Sequence, residues 1–221
     1  MSRSRRPNIT DNELLKRADK TLALRTIRGV AIYIVLFLAL TLSSTYHQKH
    51  FSLVLLTGFG LFATGLARLC LALCFNRLYG WNPVLWKFMV RSGTLSAALV
   101  WSIFWGHLIY ADGIIEPTLL GLAVTVGISS AGIATLAPDR WSVYPFLGTM
   151  YLTPAFAAAG TGTPNGYVIA GMLVVGVGVL VSVASTLNTD FWEALSNLEL
   201  LGERAKELSL IHISEPTRQD T

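Results

Sequence analysis

Residues 187–208 read LNTDFWEALSNLELLGERAKEL, and the reading of this stretch decides the fold of the whole chain. Apolar side chains fall at Leu187, Phe191, Ala194, Leu198, Leu201, Ala205 and Leu208, alternately four and three apart. That is heptad spacing, the pattern of a helix packed lengthwise on a partner. Between these positions stand Asp190, Glu193, Glu199, Glu203, Arg204, Lys206 and Glu207. The other faces are therefore solvated, and the stretch is excluded as a membrane span.

Upstream of it the composition is of another kind. The 221-residue chain is 52% hydrophobic and 14% charged, with a mean hydropathy of +0.54. A soluble domain carries about 25% charge, so this chain reads as a polytopic membrane protein. Six segments have the ~17–25 residues that cross a hydrocarbon core of about 30 Å: 27–44, 51–71, 93–111, 119–136, 143–159 and 167–187. Pro145 and Pro154 interrupt the fifth, which is therefore expected to kink or to be re-entrant. The expected fold is all-α, a bundle of six transmembrane helices with a C-terminal coiled-coil signalling helix.

Charge sets the orientation. Eight of the seventeen Lys and Arg residues lie in the first 28 positions, against three acids. With the N-terminus inside, the connections carrying Arg77, Lys87 and Arg91, and then Asp139-Arg140, are also inside. The other loops carry Lys49, then Asp112 and Glu116, then no charge at 160–166. Both termini are thus expected in the cytoplasm, with Trp81, Trp86, Trp141 and Trp192 near the inner interface. The basic balance is a topology signal, and no nucleic-acid partner is expected.

Four regions follow: a basic N-terminal segment at 1–25 with a short amphipathic helix capped by Thr10 or Asp11, a membrane domain at 26–187, a coiled-coil linker at 188–207, and a tail at 208–221. No cleaved signal peptide is expected, because the first apolar run is a full span. Residues 208–218 read LSLIHISEPTR, one reading frame of a transposase adapter used to prepare short-read sequencing libraries. The expectation is that the coding sequence breaks off at Glu207 or Leu208, and that His212 and Pro216 have no biological role.

Catalytic motifs are missing: there is no phosphate-binding Gly-rich loop, no nucleophile elbow, no His-Glu-x-x-His. No catalytic residue, cofactor or metal is assigned. Cys70 and Cys74, four apart, read as small core residues. Gly58, Gly60 and Gly65, and Gly171, Gly176 and Gly178, read as positions of close helix approach. Arg68, late in the second span, is expected to snorkel to the inner surface. The candidate sensing group is His47, His50, His107, Asp112 and Glu116 at the outer face, since imidazole and carboxylate bind metals and His titrates near neutrality. The plainer reading is a set of interface-anchored polar residues.

Three stretches carry a resemblance: Ala131-Gly132-Ile133-Ala134-Thr135-Leu136-Ala137-Pro138 with Pro154 beyond it, Leu187 to Leu195, and Leu200 to Leu208. Together they resemble the multi-span N-terminal sensor regions of bacterial signalling proteins, which precede a histidine kinase or a GGDEF diguanylate cyclase module. The resemblance implies a two-component input domain, a homodimer through the C-terminal helix, and a response regulator reached through an output module outside this chain. Neither the kinase boxes nor the GGDEF signature occurs here, so no catalytic residue carries over. A small transporter or channel subunit and a lipid-active membrane enzyme are the alternatives.

Overall fold

The structure, a computed structural model, describes residues 11–43, 46–113 and 115–214. The basic run at 2–7, Thr10, Ser44 and Pro216 lie outside them, as do the side chains of Glu199, Glu203, Lys206, Glu207, Leu208 and His212. Eight helices follow one another: α1 (Asp11–Ser43), α2 (Tyr46–Lys49), α3 (Phe51–Leu73), α4 (Phe75–Trp81), α5 (Pro83–Asp112), α6 (Glu116–Leu136), α7 (Arg140–Gly160) and α8 (Pro164–Ser214). No strand occurs among the described residues.

Local chemistry fixes the boundaries. Asn82 accepts from the Leu85 amide at 3.0 Å, and Pro83 follows at the first position of α5. This is an N-cap that satisfies a free amide, with a proline where its missing N–H costs nothing. Gly113, at φ 70°, ends α5 in the left-handed region that suits glycine. The helix expected within 1–25 is not separate, because α1 runs unbroken from Asp11 into the first span.

Among the described residues, five helical stretches are long and apolar enough to cross a membrane: Leu14–Leu42, Phe51–Leu73, Pro83–Asp112, Thr118–Leu136 and Pro164–Gly202. The chain is an all-helical membrane protein. Helix α7 is not among the five, although its 21 residues, at 1.5 Å each, reach about 31 Å. Arg140, Ser142, Tyr144, Pro145, Thr149, Tyr151, Thr153 and Pro154 dilute its apolar residues. Ser142, Val143, Phe146, Leu147, Met150, Tyr151, Pro154, Ala155 and Ala158 are buried, and α7 packs chiefly on α5 and α8, while Trp141, Leu152 and Phe156 are exposed. The helix continues through both prolines. Beside Pro154, Gly106 keeps the α5 backbone close: a Cβ there would stand 3.5 Å from the Pro154 Cα.

Three tryptophans of α5 form the centre, each with its N–H satisfied, as buried indoles require. Trp101 donates to Thr125 Oγ1 at 2.9 Å, Trp105 to the Thr118 carbonyl at 3.2 Å, and Trp86 to the Leu71 carbonyl at 3.1 Å. Trp86 is therefore a core residue and not the interface anchor its sequence position implies, whereas Trp81 and Trp141 are exposed. Cys70, in the last turn of α3, and Cys74, the residue that caps it, are both exposed and not in the core. The buried face of that helix is taken by Thr57, Leu61, Gly65, Arg68, Leu71 and Ala72. Gly58, Gly60 and Gly65 do meet neighbours closely, against Phe37, Val100 and Val30. Gly171, Gly176 and Gly178 of α8 meet nothing within 4 Å.

Candidate functional site

Polar contacts gather at the two ends of the bundle. At the end where α3 begins and α5 finishes, Asp112 is 3% exposed at its side chain and takes an ion pair from Lys49. His50 Nε2 lies 3.5 Å from Asp112 Oδ2. The His50 and His107 rings meet edge to face, with centroids 5.6 Å apart. Thus His50, His107 and Asp112, three of the five residues singled out in the sequence, come together, with Lys49 added. His47 turns away, donating through Nδ1 to the Thr41 carbonyl at 3.1 Å, and Glu116 stands exposed in the first turn of α6. Among the described residues no three His, Cys, Asp or Glu side chains are placed to share a metal ion.

The opposite end, where α1 begins and α6 turns into α7, holds a larger network. Asp19 of α1 is buried; it accepts from the Tyr79 hydroxyl at 2.8 Å and pairs with Lys87 Nζ at 3.0 Å. Burial raises the Tyr79 pKa, and the bond to the Asp19 carboxylate, with its charge, raises it further. Arg91 grips Asp139 with two parallel bonds, Nε to Oδ2 at 2.8 Å and Nη2 to Oδ1 at 2.9 Å. Ser142 Oγ donates to the same carboxylate at 2.7 Å, and the Trp141 amide makes Asp139 the N-cap of α7. Burial alone would push the Asp139 pKa up; the bonds from Arg91 and Ser142 and the Arg91 charge outweigh it and hold it below the ordinary carboxylate value.

Helix α8 is tied in at this same end. Asn188 donates its side-chain amide to the Ala137 carbonyl, which α6 leaves unpaired in its last turn. Arg25 of α1 donates to the Ala134 carbonyl at 2.8 Å, and its guanidinium lies 5.3 Å from the centre of the Phe191 ring. Two of the stretches that carry the resemblance, 131–138 and 187–195, are therefore in contact. Sequence spacing gave no warning of this clasp, because its carbonyl acceptors leave no signature in side-chain identity. Phe191, read as a seam residue, is half-buried against Arg25, whereas Leu187, Ala194, Leu198, Leu201 and Ala205 are exposed.

Between the two ends lies the third feature. Arg68, expected at the surface, is 4% exposed. It stands on the face of α3 that also carries Leu61, Gly65 and Ala72, and Gly93 of α5 makes room for its stem: a Cβ there would be 3.0 Å from Arg68 Cγ. The register of those residues in the sequence was the signal that Arg68 points inward.

The fold and these sites define a helical membrane protein whose last helix is clasped to its bundle and continues beyond it. Comparison with protein-family models, with curated proteins and with solved structures gave no match.

Proposed function

We propose that this chain is the membrane input region of a bacterial signal-transduction protein, a histidine kinase of the two-component type, with both termini cytoplasmic and α7 counted as a sixth span. A cue received in the bundle or at its outer face moves α8, and α8 passes the change as a parallel dimer to an output module outside this chain. The observation that carries the reading is the length and surface of α8. Up to Glu207 its 44 residues reach about 66 Å, against a hydrocarbon core of about 30 Å. Leu198 is 67% and Leu201 61% exposed, on a stretch whose heptad spacing asks for a partner. The clasp at Asn188 and Arg25 supplies a junction through which a shift of the bundle changes the seam between two copies.

A diguanylate cyclase input domain would use the same parts, and the wording of the linker favours the kinase. A transporter or channel subunit calls for an unwound midplane segment. The proline-containing α7, which best fitted one, is helical throughout. A long-read sequence of the locus tests the proposal: a kinase module in frame after residue 207 is expected. A cyclase module there would replace the kinase reading, and a native stop codon after Thr221 would overturn the sensor reading altogether.

A further inference from the structure

The Arg68 side chain reaches a cavity of about 20 Å³ where five helices meet. Tyr33 of α1, Thr94 of α5 and Thr135 of α6 bring hydroxyls to its wall, and the rest of the wall is apolar, from residues such as Gly29 and Ile32 of α1, Ile128 of α6 and Phe146 of α7. No acid lines it. Arg68 Nε and the Tyr33 hydroxyl are both buried and without a hydrogen-bond partner. A guanidinium at this depth is costly unless a negative charge accompanies it, and a buried donor left unpaired adds to that cost.

We propose that this cavity is a binding site for one small monovalent anion of chloride's size. The wall supplies hydrogen-bond donors suited to an anion: the guanidinium of Arg68, the phenolic O–H of Tyr33 and the hydroxyl of Thr135. Thr94 contributes only packing, because its hydroxyl proton is given to the Val90 carbonyl at 2.9 Å. Its volume is compatible with such an occupant: a water needs about 10–15 Å³ and a chloride little more, so the cavity has room for one such guest. A water would fit but would leave the charge of Arg68 uncompensated.

The site is close to the clasp in sequence on both helices: Gly29 lies one turn from Arg25 on α1, and Thr135 is next to Ala134 on α6. Anion occupancy therefore bears on the helices that hold α8. That last step rests on the sensor reading; anion binding itself does not.

The experiment is a ³⁵Cl NMR line-width titration of the purified full chain in a neutral detergent, with gluconate as the background anion. Protein-dependent broadening that bromide reverses is expected for the wild type and is lost in Arg68→Met. Gly29→Ala serves where the Arg68 variant does not fold. The new methyl meets only Thr135, at 3.7 Å, so the chain accepts it while the cavity is filled, and broadening is again lost. Absence of broadening in the wild type overturns the proposal, as does broadening unchanged in a folded variant. Stabilisation by acidic lipid that bromide does not compete with would also overturn it, by assigning Arg68 to a lipid phosphate.

Discussion

Asn188 on α8 donates its side-chain amide to the carbonyl of Ala137, 51 residues earlier at the end of α6. One bond thus joins the last turn of one helix to the point where the longest helix leaves the bundle. The Arg25 contact with Phe191 lies one turn farther along α8.

Replacing Asn188 by Leu removes the donor and leaves the Ala137 carbonyl unpaired in a partly buried place. The expected cost is about 1–3 kcal/mol of stability. A lowered thermal midpoint in detergent, followed by tryptophan fluorescence, reports it, and an unchanged midpoint would show that water replaces the amide.

Dimerisation through α8 is read by disulfide cross-linking of cysteines placed at Leu198 or Ala205, in a background where the exposed Cys70 and Cys74 are serine. Cross-linking in membranes is expected from both positions. Introducing Asp at Leu201 should abolish it, since paired carboxylates at a seam repel and desolvate. Cross-linking retained in that variant would place the dimer contact elsewhere.

Acid should loosen the turn between α6 and α7. The folded-state pKa of Asp139 is lowered, so its contribution is complete above the ordinary carboxylate value of about 4 and is lost as pH falls through the folded value. Asp139→Asn keeps a capping side chain but gives up the charge of the two-bond pair with Arg91, which should remove about 1–2 kcal/mol at neutral pH and flatten the acid limb of the midpoint against pH. Equal acid limbs in the two proteins would show that other carboxylates govern that limb.

Gly132 and Gly171 should answer alanine oppositely. At Gly132 the new Cβ would stand 2.5 Å from the ring of Phe146, itself 1% exposed, and the expected overpacking cost is about 1–3 kcal/mol. At Gly171 nothing lies within 4 Å, and alanine should leave the thermal midpoint of the monomer where it was. A loss at Gly171 that appears only in the cross-linked dimer would place this residue in the interface.

At the other end, a protein with His47, His50 and His107 all changed to Ala separates the sensing reading from the anchoring one. A signalling output fused after residue 207 is expected to lose its response to external pH, because His50 contacts both Asp112 and the His107 ring. An unchanged response would leave these residues with an anchoring role.

Particular residues show where sequence reading succeeds and where it stops. The spans at 51–71 and 119–136 were legible because a lipid-exposed helix must be apolar around its circumference, and composition records that directly. The same rule is weaker for α7, whose core-facing side carries Ser142, Tyr151 and Pro154 among its apolar residues. Spacing put Cys70 and Cys74 on one face, yet it did not say which face is buried, and the pair proved to be exposed. Trp86 looked like an interface anchor by position; the Leu71 carbonyl beside it makes it core.

By itself the sequence determined that this is a helical membrane protein, where most of its helices run, and that a heptad-spaced rod follows the last span. Those properties depend on hydropathy and period, which each segment carries within itself. The tertiary structure alone decided that Arg68 reaches a cavity between five helices, that His50 meets both Asp112 and the His107 ring, and that Asn188 and Arg25 clasp α8 to α6. Each of these joins groups far apart in the chain, two of the acceptors being backbone carbonyls, and only packing brings such groups within bonding distance.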